Sequence, residues 1–143
     1  MPRPRSPLDR AAGTAPTRLA AAGAAVVTVG AGLGLRAVTG GSVAKYGGDA
    51  LYTVLIVALV VLVAPRITPL KAAACALAFS CAVEFLQLGT VPAELSRRSA
   101  IARLVLGSTF NPPDLFWYAV GAVAGLLVHT AVRTVAGRPH GSP

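Results

Sequence analysis

Four apolar stretches constrain this chain more than any other feature: Leu19 to Leu35, Ala50 to Ala64, Ala72 to Leu88 and Leu115 to Val132. A helix needs about 20 mostly apolar residues to cross a bilayer. In lipid every backbone N–H and C=O must also find its partner within the spanning structure, which a helix provides. Each stretch approaches that length, and only the third carries a formal charge, at Glu84. The predicted fold class is therefore all-α, an integral membrane four-helix bundle. Composition agrees. Charged residues make up 13% of the 143, against about 25% in soluble domains, too few to cover a surface in water.

The remaining segments give the domain plan. Residues 1–18, rich in Pro, Arg, Ser and Thr, read as a disordered tail. Residues 19–133 form the transmembrane domain, and residues 134–143 a second disordered tail. A basic tail before an apolar run can also be a signal peptide. Here Arg36 follows the run directly and no small-x-small cleavage site comes after it, so the run reads as an uncleaved first span. Gly30, Ala31, Gly32 and Gly34 give that span a smooth face for helix packing. Thr39 to Gly48, with Lys45 and Tyr46, reads as a Gly-rich loop. Pro65 to Pro69 is a tight turn, since its prolines cannot continue a helix. After a loop holding Pro92, Glu94, Arg97 and Arg98, Ile101 to Leu106 is too short to span and reads as an interfacial or re-entrant segment. Asn111-Pro-Pro-Asp114 suits the start of the fourth helix. Cys75 and Cys81, six apart on one helix, diverge in direction and read as small core residues rather than a disulfide.

The formal net charge of +8 does not point to nucleic acid, because no basic stripe is interleaved with aromatics. Membrane lipids and topology account for it better. With four spans both termini share one side. That side holds Arg3, Arg5, Arg10, Arg18, Arg66, Lys71, Arg133 and Arg138; the other holds Arg36, Lys45, Arg97, Arg98 and Arg103. Lys and Arg concentrate in cytoplasmic loops, which places both termini in the cytoplasm.

Asp49, Glu84 and Asp114 then fall at one membrane face, the extracytoplasmic one. Glu84 and Gln87 are three apart on a helix, Asp49 and Tyr52 three apart, Asp114 and Tyr118 four apart, so each pair shares a helix face. Glu84 is the informative residue: an acid at the centre of a membrane helix costs about 2.5–3.5 kcal/mol on insertion scales, less near the interface. Either it belongs to a ligand site with Arg103 as its charge partner, or it pairs with Arg103 to pin the loop onto the bundle. Asp49 and Asp114 either join that site or cap helices. Tyr46, Tyr52, Trp117 and Tyr118 lie near helix ends, where aromatic belts are normal. Gly121-Ala-Val-Ala-Gly125 has small-xxx-small spacing for helix packing. His129 lies near the other end of the fourth helix, where an imidazolium would suit the helix dipole. Three carboxylates could bind Ca²⁺ or Mg²⁺, but the neighbouring arginines argue against a metal site, and no cofactor motif is present.

These polar positions carry a family resemblance. Gly48-Asp-Ala-Leu51, Val83-Glu-Phe-Leu-Gln-Leu88, Ile101-Ala-Arg-Leu-Val-Leu-Gly107, Thr109-Phe110, Asp114-Leu115, Tyr118 and Gly121 resemble, in order and spacing, the bacterial membrane-protein family called domain of unknown function 2809. Asn111-Pro-Pro113 departs from that pattern, where an aromatic is expected before the Asp. The family looks distantly similar to the VanZ-like proteins, also short four-helix membrane proteins with acidic and polar residues near helix ends. The resemblance implies the fold and the polar positions and supplies no activity.

Three functions compete. The first is binding of a lipid headgroup or cell-envelope precursor, with the acids accepting from hydroxyl or amine groups and Arg103 meeting phosphate. The second is a small enzyme on such a lipid, with Glu84 as general acid or base. The third is a structural or partner-binding membrane protein. A transporter fits less well: four short helices leave little room for a pathway unless the protein is a homo-oligomer, which the sequence leaves open.

Overall fold

A computed structural model describes residues 13–89, 91–106 and 110–137. They form α1 (Ala15–Val38), α2 (Gly41–Val63), α3 (Pro69–Leu86), α4 (Val91–Arg98), α5 (Ala100–Leu106) and α6 (Pro112–Ala136). Helices α1, α2, α3 and α6, of 24, 23, 18 and 25 residues, are long and apolar enough to cross a membrane. The chain is a multi-pass, all-α membrane protein, as the four apolar runs predict.

Several boundaries differ from the sequence expectation. Helix α1 begins at Ala15 with Pro16 in its first turn, where a proline costs no hydrogen bond; Ala15 to Arg18 therefore belong to the helix and not to the tail. Helix α6 continues past Arg133 to Ala136. The rest of both predicted tails, residues 1–12 and 138–143, lies outside the described residues. The expected Gly-rich loop is largely helix: α2 starts at Gly41, more than two turns before Ala50. Gly41 takes φ +59°, a left-handed conformation open to glycine, and so reverses the chain within two residues. The polar residues after it are helical because each finds a partner: Lys45 pairs with Asp49 one turn on, Tyr46 stacks on Trp117 at 5.6 Å, and Gly47 lies against Leu35.

Helix α3 opens on Thr68, whose hydroxyl accepts from Lys71 N at 3.4 Å, with Pro69 in the first turn. The segment expected as a loop around Glu94 is helix α4, in which Glu94 pairs with Arg97 and Arg98 at helical spacing. Helices α4 and α5 pack on each other at the end of the bundle where α3 stops and α6 starts.

Helix α2 is central. It packs on α1, α3 and α6; α3 also packs on α6, while the main contact of α1 is with α2. The α2–α6 seam depends on the small residues of the Gly121–Gly125 motif. A Cβ at Gly121 would stand 2.2 Å from Ala50 O, and one at Gly125 would stand 2.8 Å from a Val57 methyl. Between α2 and α3 the hydroxyls of Thr53 and Ser80, both fully buried, hydrogen-bond at 3.1 Å. Such polar links hold helices together where lipid offers no hydrophobic drive. At the far end Ala21, Val57, Val61, Ala72 and Ala76 form an apolar cluster. Arg133 there donates to Ile67 O at 3.1 Å, tying α6 to the α2–α3 turn.

Two packing expectations are corrected. The smooth face of α1 packs against nothing among the described residues, since a Cβ at Gly30, Gly32 or Gly34 would meet nothing within 4 Å. Cys75 is exposed and Cys81 half-buried, both as free thiols. The packed stripe of α3 instead runs through Ala72, Ala73, Ala76, Ser80, Val83 and Glu84, and Cys75 lies off it.

Candidate functional site

At the α4–α5 end of the bundle the helices part around a cavity of about 700 Å³. Its walls come from five helices, α1, α2, α3, α5 and α6. All seven residues predicted as a site line it: Asp49 and Tyr52 from α2, Glu84 from α3 with Gln87 just beyond it, Arg103 from α5, and Asp114 and Tyr118 from α6. The up-and-down order of the spans brings these three helix ends together, as their spacing implied.

The pairing within the site differs from expectation. Glu84 is fully buried, yet its partner is not Arg103. Its Oε1 accepts from the backbone N–H of Asn111 at 2.5 Å and its Oε2 accepts from the Tyr118 hydroxyl at 3.0 Å. Arg103 is exposed at the rim, too far out to reach a fully enclosed carboxylate. Glu84 thereby fixes the start of α6, whose first N–H groups have no helical acceptor. Fully buried and with a protein donor on each oxygen, Glu84 is held in place by the fold.

Lys45, which sequence reasoning placed in a loop, is the cation at the centre of the site. Its Nζ lies 2.5 Å from Asp114 Oδ1 and 3.5 Å from Asp49 Oδ2, joining α2 to α6. Asp114, buried in the first turn of α6, also accepts from the Asn111 side chain. Asp49 does not cap α2, because the helix begins two turns earlier; Asp114 keeps its favourable place at a helix N-terminus. Gln87 donates to Leu106 O, tying the end of α3 to α5. Lys45 was legible in principle: it stands four residues before Asp49, the spacing of a helical ion pair. Asn111 and Arg36 were also missed: Asn111 reaches Glu84 through its backbone, which no residue type reveals, and Arg36 lines the cavity from the end of α1.

Three polar groups of the cavity have no partner among the described residues. The Tyr52 hydroxyl is buried without a hydrogen bond, its ring tilted against Tyr118 at 6.2 Å. The side chains of Arg36, from the last turn of α1, and Arg103, from α5, line the cavity without an ion pair to a described acid. The cavity thus offers two guanidinium groups to an occupant, above an inner network that is already satisfied. Of the four aromatics expected at a membrane belt, Tyr52 and Tyr118 face this cavity, whereas Tyr46 and Trp117 stack outside it. His129, expected near a charged helix end, is buried instead, and neither ring nitrogen has a partner among the described residues.

Comparison with known proteins adds one finding. No curated protein and no solved structure matches the chain. The family model described as "Protein of unknown function (DUF2809)" matches residues 38–122, which include the cavity-lining residues of α2, α3, α5 and α6 but not those of α1, Arg36 among them. With more than half its length matched, the chain belongs to that family.

Proposed function

We propose that this protein binds the headgroup of a membrane lipid, or a lipid-linked cell-envelope precursor, in the cavity between its helices. The observation that carries the reading is the meeting of Arg36, Tyr52 and Arg103, each without a protein partner among the described residues, in one cavity of about 700 Å³ inside an otherwise apolar bundle. Arg36 and Arg103 are exposed, whereas the Tyr52 hydroxyl is buried without the hydrogen bond that buried polar groups ordinarily have, and polar residues within membrane segments usually mark a site. The volume lies within the range of small-molecule pockets, about 300–1,000 Å³. The inner network of Lys45, Asp49, Asp114, Glu84 and Tyr118 serves as the wall that keeps the cavity's shape. The charge bias of the loops supports an extracytoplasmic site with both termini cytoplasmic.

The test is native mass spectrometry of protein gently extracted from its own membrane, with Gly48→Leu and Gly32→Leu beside the wild type. Both glycines line the cavity, and a Cβ at either meets nothing within 4 Å, so each variant fills the cavity while sparing the packed seams. A defined lipid retained by the wild type and lost from both folded variants is the expected result. Equal retention in all three would place the lipid elsewhere.

A further inference from the structure

The cavity has a direction. Helices α1 and α3 both pack on α2 and face each other across the cavity without a substantial contact of their own among the described residues. Val29 and Leu33 of α1 line the cavity, yet they are 45% and 63% exposed. On this flank the cavity wall is therefore also the outer surface of the bundle, and that surface faces hydrocarbon.

The cavity is also graded along the membrane normal. Arg36 stands at its polar end with Lys45, Asp49 and Arg103. Val29 lies about 10 Å further down α1 at 1.5 Å per residue, and Leu55 about as far below Asp49 on α2. A water-soluble ligand gains nothing from the apolar half. A lipid matches both halves, with its headgroup among the arginines and its chain along Val29, Leu33 and Leu55. The two arginines come from separate helices and their planar guanidinium groups suit a phosphate, which each can bind through two N–H donors.

We infer that the occupant is a phosphate-bearing lipid that enters sideways from the bilayer between α1 and α3, its phosphate held by Arg36 and Arg103 and its chain against Val29, Leu33 and Leu55. This rests on the cavity being a lipid site and adds the chemical class and the route. The inner carboxylates set a further condition. Asp49, Asp114 and Glu84 are already engaged by Lys45, Asn111 and Tyr118, so they stand behind the phosphate rather than competing for the arginines. Tyr52 lines the same cavity, its hydroxyl enclosed in the wall.

The experiment is native mass spectrometry of delipidated protein titrated with four probes: dioleoyl phosphatidic acid, dioleoyl phosphatidylcholine, dioleoylglycerol and glycerol 3-phosphate. Phosphatidic acid is expected to bind at least about tenfold more tightly than dioleoylglycerol, the difference one charge-assisted contact supplies. The double variant Arg36→Gln/Arg103→Gln is expected to erase that difference. Arg97→Gln/Arg98→Gln, which removes two arginines paired to Glu94 outside the cavity, is expected to leave it intact. Glycerol 3-phosphate is expected not to displace bound phosphatidic acid at hundredfold excess.

Equal binding of phosphatidic acid and dioleoylglycerol would overturn the phosphate assignment. Displacement by glycerol 3-phosphate would overturn the lipid route and make the soluble phosphate the ligand. Loss of the preference in the Arg97/Arg98 variant would reduce it to general surface charge. Failure of the wild type to bind any of the three lipids would overturn this inference, while the wider reading is decided separately by what the protein retains from its own membrane.

Discussion

The two flanks of α2 have opposite character. On the flank facing α6, Ala50, Thr53 and Val57 meet Gly121 and Gly125 so closely that a single added carbon would strike the Ala50 backbone at Gly121 and the Val57 side chain at Gly125. On the flank facing α1 and the cavity, Gly48 has nothing within 4 Å of where a Cβ would stand. Helices in lipid associate through close packing and hydrogen bonds rather than through burial from water. The closed flank satisfies that requirement for α2, α3 and α6, while α1 is held by its own packing on α2 beside the cavity. The open flank is thus free to keep a space and several unpaired polar groups that contribute little to holding the helices together.

Substitutions on the two flanks should differ most where the contact is closest. Gly121→Ala is expected to cost about 3 kcal/mol, the upper end of overpacking effects, because the new carbon must displace the Ala50 carbonyl. Gly125→Ala is expected to cost about 1 kcal/mol, since the Val57 side chain can turn aside. Unfolding titrations in mixed detergent read both; equal costs would mean that the seam is looser at Ala50 than the structure has it. Glu84→Ala leaves the Asn111 N–H and the Tyr118 hydroxyl without an acceptor and is expected to lose about 2 kcal/mol. Glu84→Gln, which keeps one acceptor oxygen, is expected to lose about half of that. Ser80→Ala removes the partner of Thr53 and is expected to lose about 0.6 kcal/mol, the mean for hydrogen bonds between membrane helices. Gly48→Leu, on the open flank, is expected to stay within about 0.5 kcal/mol of the wild type, a result that a hidden contact at that position would contradict.

The closed flank was easier to read in the sequence than the open one. The four apolar runs define the spans, and the Gly121–Gly125 spacing identifies the seam, because both are periodic patterns along a single helix. The seven site residues were also legible, since three carboxylates at helix ends of alternating direction must share a face. What the sequence did not reveal was which group pairs with which. Arg103 and Lys45 carry the same charge at the same membrane face. Only the early start of α2 at Gly41 brings Lys45 between Asp49 and Asp114 and leaves Arg103 at the rim. The partner of Glu84 was hidden for another reason: one of its two donors is a backbone N–H, common to nearly every residue. Nor could the cavity be foreseen. It arises because α1 and α3 share α2 as a neighbour without closing on each other, a relation between helices that no single run encodes.

The central claim is that the open flank is a binding site and not merely loose packing. The most direct measurement is the thermal stability of delipidated wild type and Gly48→Leu, each before and after addition of total lipid from the native membrane. A ligand that binds only the folded state at about a hundred times its Kd adds about 2.7 kcal/mol, a rise of several degrees in Tm. The account predicts that rise in the wild type and none beyond a general bilayer effect in Gly48→Leu. The same rise in both proteins would contradict it, because the stabilising lipid would then not occupy the cavity.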